Sequence, residues 1–354
     1  MVFTHREFDG HEQVVFCSEP SVGLSALIAI HSTALGPAAG GCRMHPYESE
    51  DAALTDVLRL SQGMSFKNAL AGLPLGGGKS VIIADPSREN KPALLRAFSR
   101  HVQAMAGRYW TAIDVGVGPA DADILAEQCD YTFARASQYE PGFNPSAFTA
   151  RGGFVGIRAA VGFQRGSDDL TGVRVAIQGL GATGSRLAEH LHEAGARLVV
   201  TDLSDDAKAK MVSRFGAEAV APDDIYHQDV DVFAPCAMGA VLHDETIAQL
   251  QAQVVCGLAN NQLAEPRHGA ALHERGIAYV PDYVVNAGGV MGAATVIYGP
   301  PSREDSLVAI DGLYDTILSI LETSKERNRP SSEVADEMAV GRINSAKKDP
   351  DPKL

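Results

Sequence analysis

Two alternating patterns of apolar and polar positions run along the chain. Short apolar runs rich in β-branched residues, SVII (80–83), WTAI (110–113), VRVAIQ (173–178), ARLVVTD (196–202), VDVFAP (230–235), QVVCG (253–257) and IAYVP (277–281), predict strands. Between them lie longer stretches with helical spacing. In AALTDVLRLSQGM (52–64), Ala53, Leu54, Val57, Leu58 and Leu60 fall on one face. Strands alternating with helices predict an α/β chain built on a largely parallel sheet. The C-terminal stretch SSEVADEMAVGRINSAKK (331–348) opens with a serine and an acidic turn and closes on lysines, which predicts a helix, with a frayed DPDPKL tail after it.

The stretch YEPGFNPSAF (139–148), rich in proline and aromatics, precedes a helix-like run and reads as a seam between domains. With 354 residues, the chain exceeds the roughly 250–300 at which single cores stop growing, so two domains are expected. The expected division is 1–140, completed by 328–354, and 141–327. A net charge of -14 without any basic stripe argues against nucleic acid as a partner. The five cysteines form neither a C-x-x-C pair nor a zinc pattern, which predicts reduced and mostly buried thiols. The polar start MVFTHREFDGHEQ and the absence of a membrane-length apolar run lead to the expectation of a cytoplasmic protein without membrane contact.

Candidate chemistry falls in two places. The segment 173–205 reads as strand, glycine turn QGLGATGS, amphipathic helix, and second strand ending in Asp202. This is the context that a dinucleotide fingerprint requires. Gly179 permits the tight turn, Gly181 lets backbone approach a pyrophosphate, and Gly184 lets helix and strand pack closely. The span Leu180, Ala182 and Thr183 completes the loop. The pyrophosphate would sit at the helix N-terminus. Asp202 suits a ribose 2′-hydroxyl and repels a 2′-phosphate, so NAD is expected over NADP despite Lys208 and Lys210 nearby.

The second place is MSFKNALAGLPLGGGKS (64–80), whose ending resembles a phosphate-binding P-loop. Counting back five residues from Gly78 reaches Leu73, not glycine, so the pattern fails by one place. Lys67 and Lys79 instead predict an ammonium pair near one cleft, with glycines 76–78 in a loop that approaches a substrate closely. Mutual repulsion and burial lower an ammonium's pKa, which suits one lysine to act as a base and the other to bind a carboxylate. Asp114 follows a predicted strand, where open α/β sheets place ligands.

These residues resemble the Glu/Leu/Phe/Val dehydrogenases. The similarity runs from about residue 12 to about residue 345 through LGPAAGGCRMHP (35–46), MSFKNALAGLPLGGGKS, TAIDVG (111–116), NPSAFTARGG (144–153), QGLGATGS, FAPCAMGAVL (233–242), ANNQL (259–263) and PDYVVNAGGVM (281–291). The resemblance implies an N-terminal α/β substrate domain facing a C-terminal Rossmann domain across a cleft. It also implies NAD-dependent, reversible oxidative deamination of an L-amino acid to a 2-oxo acid and ammonia.

Carried onto this chain, Lys67 binds the substrate carboxylate, Lys79 is the base that activates water, and Asp114 shuttles the proton of the departing ammonia. Gly40 and Gly41 lie against the substrate, Asn261 contacts substrate or nicotinamide, and Thr149 lies near the carboxamide. Ala39, Ala112, Val290 and Ala293 are expected pocket residues. Glutamate-specific members carry a lysine where this chain has Ala39 and a serine where it has Ala293, so glutamate is excluded as the main substrate. Leucine and other branched-chain amino acids come first, with phenylalanine or tryptophan as the alternative. Ile113 and VGVGPAD (115–121) depart from the leucine-specific pattern. An even-numbered homo-oligomer, such as a dimer, is expected.

Two other readings fit less well. A non-catalytic NAD-responsive protein would be expected to have lost one of Lys67, Lys79 and Asp114, and none is missing. A 2-hydroxy acid dehydrogenase needs a histidine at the reacting carbon, and His31, His45 and His190 fall on unsuitable elements.

Overall fold

The computed structural model describes residues 2–139, 145–237, 239–299 and 303–348. Two compact units emerge: Met1–Phe143 with Ala293–Pro301 and Ala339–Leu354, and Asn144–Gly292 with Ser302–Met338.

The first unit holds β1 (Gln13–Glu19), β2 (Leu24–Ser32), β3 (Ala38–His45), β4 (Gly76–Ile83) and β5 (Tyr109–Ala112) in the order β1-β2-β4-β3-β5. β3 runs parallel to β4 and β5, while β1–β2 and β2–β4 pair antiparallel, so this sheet is mixed rather than largely parallel. Alternation along the strands sorts side chains to two faces. Ile28, Ile30, Met44 and Ile82 pack with Leu94 and Phe98 of α2 (Lys91–Gln103), whereas Leu27, Ala29 and Val81 pack with Ala53, Val57 and Leu58 of α1 (Glu50–Leu70). α1 starts where Ser49 Oγ accepts from the Ala52 amide, with Glu50 and Asp51 beside the positive end of its dipole. Leu60 is only half-buried, and the buried stripe of α1 continues instead through Ser61, Ser65 and Asn68.

The glycine run 76–78 is the opening of buried strand β4, not a ligand-facing loop. A Cβ on Gly77 would meet Ser65 N and Oγ at 2.1 Å, and one on Gly78 would meet Tyr109 Cδ2 at 2.7 Å. The glycines therefore let α1 and a tyrosine close directly onto the strand.

The second unit carries β6 (Arg174–Gln178), β7 (Arg197–Thr201), β8 (Glu218–Ala219), β9 (Val232–Pro235), β10 (Val254–Val255) and β11 (Ala278–Tyr279), in the order β11-β10-β9-β6-β7-β8. Every pairing is parallel. Counted from β6, the sheet reads 3-2-1-4-5-6, the dinucleotide-binding arrangement, and its order reverses between β6 and β9.

The seam at 139–148 leads into helix Ser146–Arg165, with residues 140–144 outside the described ones. The C-terminal helix spans Ser331–Lys348 as its pattern predicts, and the tail 349–354 lies outside the described residues. From Ala339 onward this helix belongs to the first unit, where Arg342 Nη1 donates to Ala69 O (2.8 Å) and Leu70 O (3.1 Å) at the end of α1. Residues 328–338, expected with the first domain, group with the second unit. Cys17, Cys42, Cys129 and Cys256 are buried free thiols, and Cys236 is half-buried. No helix among the described residues is long and apolar enough to cross a membrane.

Candidate active site

Strand order brings the first site together. β3 lies between β4, which carries Lys79, and β5, whose end leads two residues later to Asp114. Two strand spacings separate β4 from β5, roughly 9.5 Å, and Lys79 and Asp114 meet across the intervening strand in an ion pair between Nζ and Oδ2. That path is open because β3 has glycine there: a Cβ on Gly41 would meet Ile113 O at 2.1 Å and Asp114 Cβ at 3.0 Å. Ala39, opposite Gly77 and Trp110, and Ala112, opposite Gly41, are buried beside it. Gly40 accepts from the Tyr109 hydroxyl through its carbonyl (2.7 Å).

The backbone at Asp114 is fixed by a tight turn. Asp114 N donates to Val117 O (3.1 Å), Val117 N returns the bond to Asp114 O (2.9 Å), and Gly116 takes φ +77°. A side chain at Gly116 would collide with Met44 O, so glycine is required on both counts. Within the turn the Val115 amide donates to Asp114 Oδ1 (2.5 Å).

Three residues that the sequence pattern did not single out complete the cluster. Arg43 Nε donates to Asp114 Oδ1 (3.2 Å), Arg43 Nη1 donates to Asp56 Oδ2 on α1 (2.9 Å), and the Tyr47 hydroxyl donates to the same Asp56 oxygen (2.6 Å). A charged residue inside the run AAGGCRM was the available signal for Arg43. Lys79 is only 5% exposed. Burial by itself would raise the Asp114 carboxyl, but the Lys79 ammonium and then the Arg43 guanidinium prevail and hold it well below the usual carboxylate range. Asp114 is therefore a carboxylate at neutral pH.

Lys67 sits half-buried in the last turn of α1. Its neighbours tie that turn to the sheet: Ser65 covers Gly77, and Asn68 Nδ2 donates to Gly76 O (2.7 Å). Lys79 shares with Gly77 and Val81 the face of β4 that is turned to α1, and Lys67 follows Ser65 by two residues on that helix.

The second site is the glycine loop after β6. Gly179 takes φ +97° and abuts Ala237 beyond β9, at the point where the sheet order reverses. A Cβ on Gly184, the first residue of helix Gly184–Glu193, would lie 2.0 Å from Gly179 O. Around Gly181 there is no atom within 4 Å of such a Cβ, so this glycine is not needed for packing and faces open space. Thr183 N-caps the helix without a side-chain cap bond. Asp202 accepts from Leu180 N (2.6 Å) and Ser204 N (2.8 Å), one amide on each carboxylate oxygen. Lys208 is paired with Asp205 at 2.9 Å. An open glycine, an uncapped helix start and an acid tied to the loop fit the pyrophosphate and adenosine ribose of a dinucleotide.

Of the remaining expected residues, Thr149 is half-buried on helix Ser146–Arg165, with its hydroxyl against Gly289. The glycines of NAGGVMG let helix Gly288–Ala293, which carries Val290 and buried Ala293, close onto Phe148. Asn261 is exposed at φ +54°; its amide donates to Asp282, and its carbonyl accepts from Ala240 N (2.6 Å). Among the histidines set aside, His31 is buried in β2, with Nδ1 bonded to Ser65 Oγ (2.8 Å) and Nε2 3.9 Å from Asp9 Oδ2.

Residues 11–131 match the family profile described as Glu/Leu/Phe/Val dehydrogenase, dimerisation domain, and residues 200–298 match that of Glutamate/Leucine/Phenylalanine/Valine dehydrogenase. Leucine dehydrogenase of Geobacillus stearothermophilus is 48% identical over 347 residues, covering 98% of this chain and 94% of the relative. Phenylalanine dehydrogenase of Caldalkalibacillus thermarum is 43% identical, covering 96% and 93%. Among solved structures, L-tryptophan dehydrogenase from Nostoc punctiforme superposes with a TM-score of 0.85 at 42% identity, covering 96% of this chain and 97% of that one.

Proposed function

The chain belongs to the Glu/Leu/Phe/Val dehydrogenases, and from that premise we propose that it is an NAD-dependent L-amino acid dehydrogenase acting on hydrophobic substrates, leucine and its branched-chain relatives first. An L-amino acid, NAD+ and water become a 2-oxo acid, ammonium, NADH and one proton. The observation that carries this reading is the buried Lys79–Asp114 pair, reached across a glycine position of β3 and flanked by small apolar residues.

Gly179–Gly184 and Asp202 would hold NAD, which would supply the acceptor for the hydride leaving Cα. Lys67 pairs with the substrate carboxylate and fixes which face of Cα is presented. Lys79 takes a proton from the water that attacks the imine carbon, and its short path to Asp114 gives that proton an immediate acceptor. Asp114, held ionised, carries the proton to the amine as the C–N bond breaks, and the reverse sequence serves reductive amination. Thr149, Asn261 and Val290 are assigned to the nicotinamide and substrate ends of the site.

Ala39 and Ala293, both buried, support the exclusion of glutamate: without a cation there, a γ-carboxylate would be unpaired at a cost of several kcal/mol. The small side chains at 39 and 293 also favour an aromatic substrate as the second reading, whereas Ala112 and Val290 favour the branched-chain one. NAD is preferred over NADP because Asp202, tied to the glycine loop through Leu180 N, suits a free ribose 2′-hydroxyl, and Lys208 is already paired with Asp205. The profile of residues 11–131 supports a homo-oligomer, with a dimer as its simplest form.

The test is NADH absorbance with L-leucine, L-valine, L-phenylalanine, L-tryptophan and L-glutamate, alongside Lys79→Ala. Activity on an apolar substrate, lost in the variant while NADH still binds, is expected. Dominant turnover of glutamate would overturn the pocket argument, and near-normal kcat in the variant would overturn the assigned base.

A further inference from the structure

The reaction explains one oxygen of Asp114 and leaves the other unexplained. Oδ2 faces Lys79, whereas Oδ1 is held by the Arg43 guanidinium and the Val115 amide. Arg43 sits in β3 between Cys42 and Met44, both fully buried on the α2 side, so strand alternation directs it to the α1 side. Its cross-strand partner is Val81, two residues from Lys79 on the same face of β4.

There the guanidinium spans two carboxylates, Asp114 through Nε and Asp56 through Nη1. A planar fork with donors on fixed edges spaces and orients both acids, which a flexible point-charge ammonium does not do. Asp56 is fixed in turn by the Tyr47 hydroxyl. Burial and then the Asp56 carboxylate push the Tyr47 phenol far up, so it remains a donor over the working pH range.

We infer that Arg43, anchored by Asp56 and Tyr47, is a positioning residue for Asp114: it pins Oδ1 so that Oδ2 alone is presented to Lys79 and to the reacting amine. This inference rests on the proposed role of Asp114 in proton transfer. Arg43 acts on the reaction through Asp114 and touches no reacting atom. The anchor also has reach. Asp56 and Lys67 share α1, eleven residues and about 17 Å apart along its axis, so one rigid helix sets both the Asp114 rotamer and the height of the carboxylate-binding lysine.

The experiment compares Arg43→Gln, Arg43→Lys and Tyr47→Phe with wild type, measuring kcat and KM for the best substrate across pH, NADH affinity and melting temperature. A misoriented acid costs about 100-fold in rate. Arg43→Gln is expected to lose about that much kcat with NADH affinity unchanged, and to move the acid limb of kcat to higher pH, because a cation that keeps Asp114 ionised is gone. Arg43→Lys keeps the charge without the fork, so its acid limb stays near that of wild type while kcat remains low. Tyr47→Phe is expected to lower kcat by a smaller factor.

If Arg43→Gln folds and retains wild-type kcat with an unmoved acid limb, the inference is overturned. Should that variant fail to fold, wild-type kcat in both Arg43→Lys and Tyr47→Phe overturns it, and a loss in either upholds it. Lys79→Ala and Asp114→Asn run in parallel. Wild-type turnover in these two would refute the parent reading, whereas dead controls beside an unaffected Arg43→Gln would refute only the positioning role.

Discussion

The same substitution, glycine to alanine, is expected to have opposite consequences at two positions. At Gly77 an added Cβ would lie 2.1 Å from Ser65 N and 2.5 Å from Ser65 Cα, both belonging to the backbone of α1. No side-chain rotation relieves that clash, so the helix must retreat by about an ångström from the sheet. Retreat loosens the layer formed by Leu27, Ala29, Val57, Leu58 and Val81. Overpacking alone costs about 1–3 kcal/mol, and the weaker dispersion attraction around the shifted helix adds to it. A cost of about 3 kcal/mol corresponds to roughly 6–12 °C in the melting temperature of a domain of this size. At Gly181 the added Cβ meets nothing within 4 Å, so Gly181→Ala is expected to melt like wild type or slightly higher. The methyl group would instead occupy the place where a pyrophosphate approaches. A steric cost of about 1–3 kcal/mol there weakens NADH binding roughly 5- to 150-fold. Differential scanning fluorimetry and a fluorescence titration with NADH read the two effects separately. Wild-type melting of Gly77→Ala would refute the packing account of the glycine run, and wild-type NADH affinity of Gly181→Ala would refute the pyrophosphate site.

Two further outcomes follow from the first unit. Burial pushes the His31 imidazole down to about 4, with His11, Asp9 and Lys347 as its charged or titratable neighbours. Because the unfolded chain then binds more protons than the folded one below the ordinary value of about 6.5, stability is fully present above that value and is lost as pH falls. Going from about pH 7 to about pH 5 costs about 2 kcal/mol through this group, and His31→Gln should flatten that part of the urea midpoint against pH; an unchanged slope would exclude His31 as its source. Arg342 closes the end of α1 through Ala69 O and Leu70 O, and removing such a charged donor costs about 1.5–3 kcal/mol. Arg342→Ala should therefore lower stability and raise KM for the amino acid through the turn that carries Lys67, leaving KM for NAD unchanged; equal changes in both would argue against this route.

The sequence pattern reads best where one strand has a strong local signal. Each of the seven apolar runs overlaps a strand, two of them by only two residues, and the fingerprint lies at the reversal of a 3-2-1-4-5-6 sheet. β3 was not legible because AAGGCRMH combines poor strand formers with a charge, and only pairing with β4 and β5 makes it a strand. The glycine start of β4 misled for a related reason. Glycine weakens a strand locally, yet here the absent side chains are replaced by Ser65 and Tyr109, which are remote in sequence. Lys79 and Asp114 could be picked out one at a time as charges near strand ends. Arg43, Asp56 and Tyr47 could not, because their role depends on β3 lying between β4 and β5, a matter of strand order that no local pattern encodes.

Charge balance explains why those five residues belong together. Lys79 and Arg43 supply two positive charges, Asp114 and Asp56 two negative ones, alternating along one chain that ends on a neutral hydroxyl. With side chains of Lys79 and Asp114 only 6% and 16% exposed, an unmatched charge there is costly, whereas the balanced set is not. Removing Asp114 leaves Lys79 and Arg43 with Asp56 as their one anion, and removing Lys79 leaves Arg43 between two carboxylates, so either change strands one charge. Both changes therefore disturb the fold and the chemistry together. Their kinetic effects cannot be summed, since members of one charged network do not contribute independently. A proton passing from Lys79 to Asp114 also discharges two members at once, and Arg43 and Asp56 remain as a neutral pair. The network thus stays balanced before and after the transfer, which is the electrostatic condition for moving a proton inside a largely buried site.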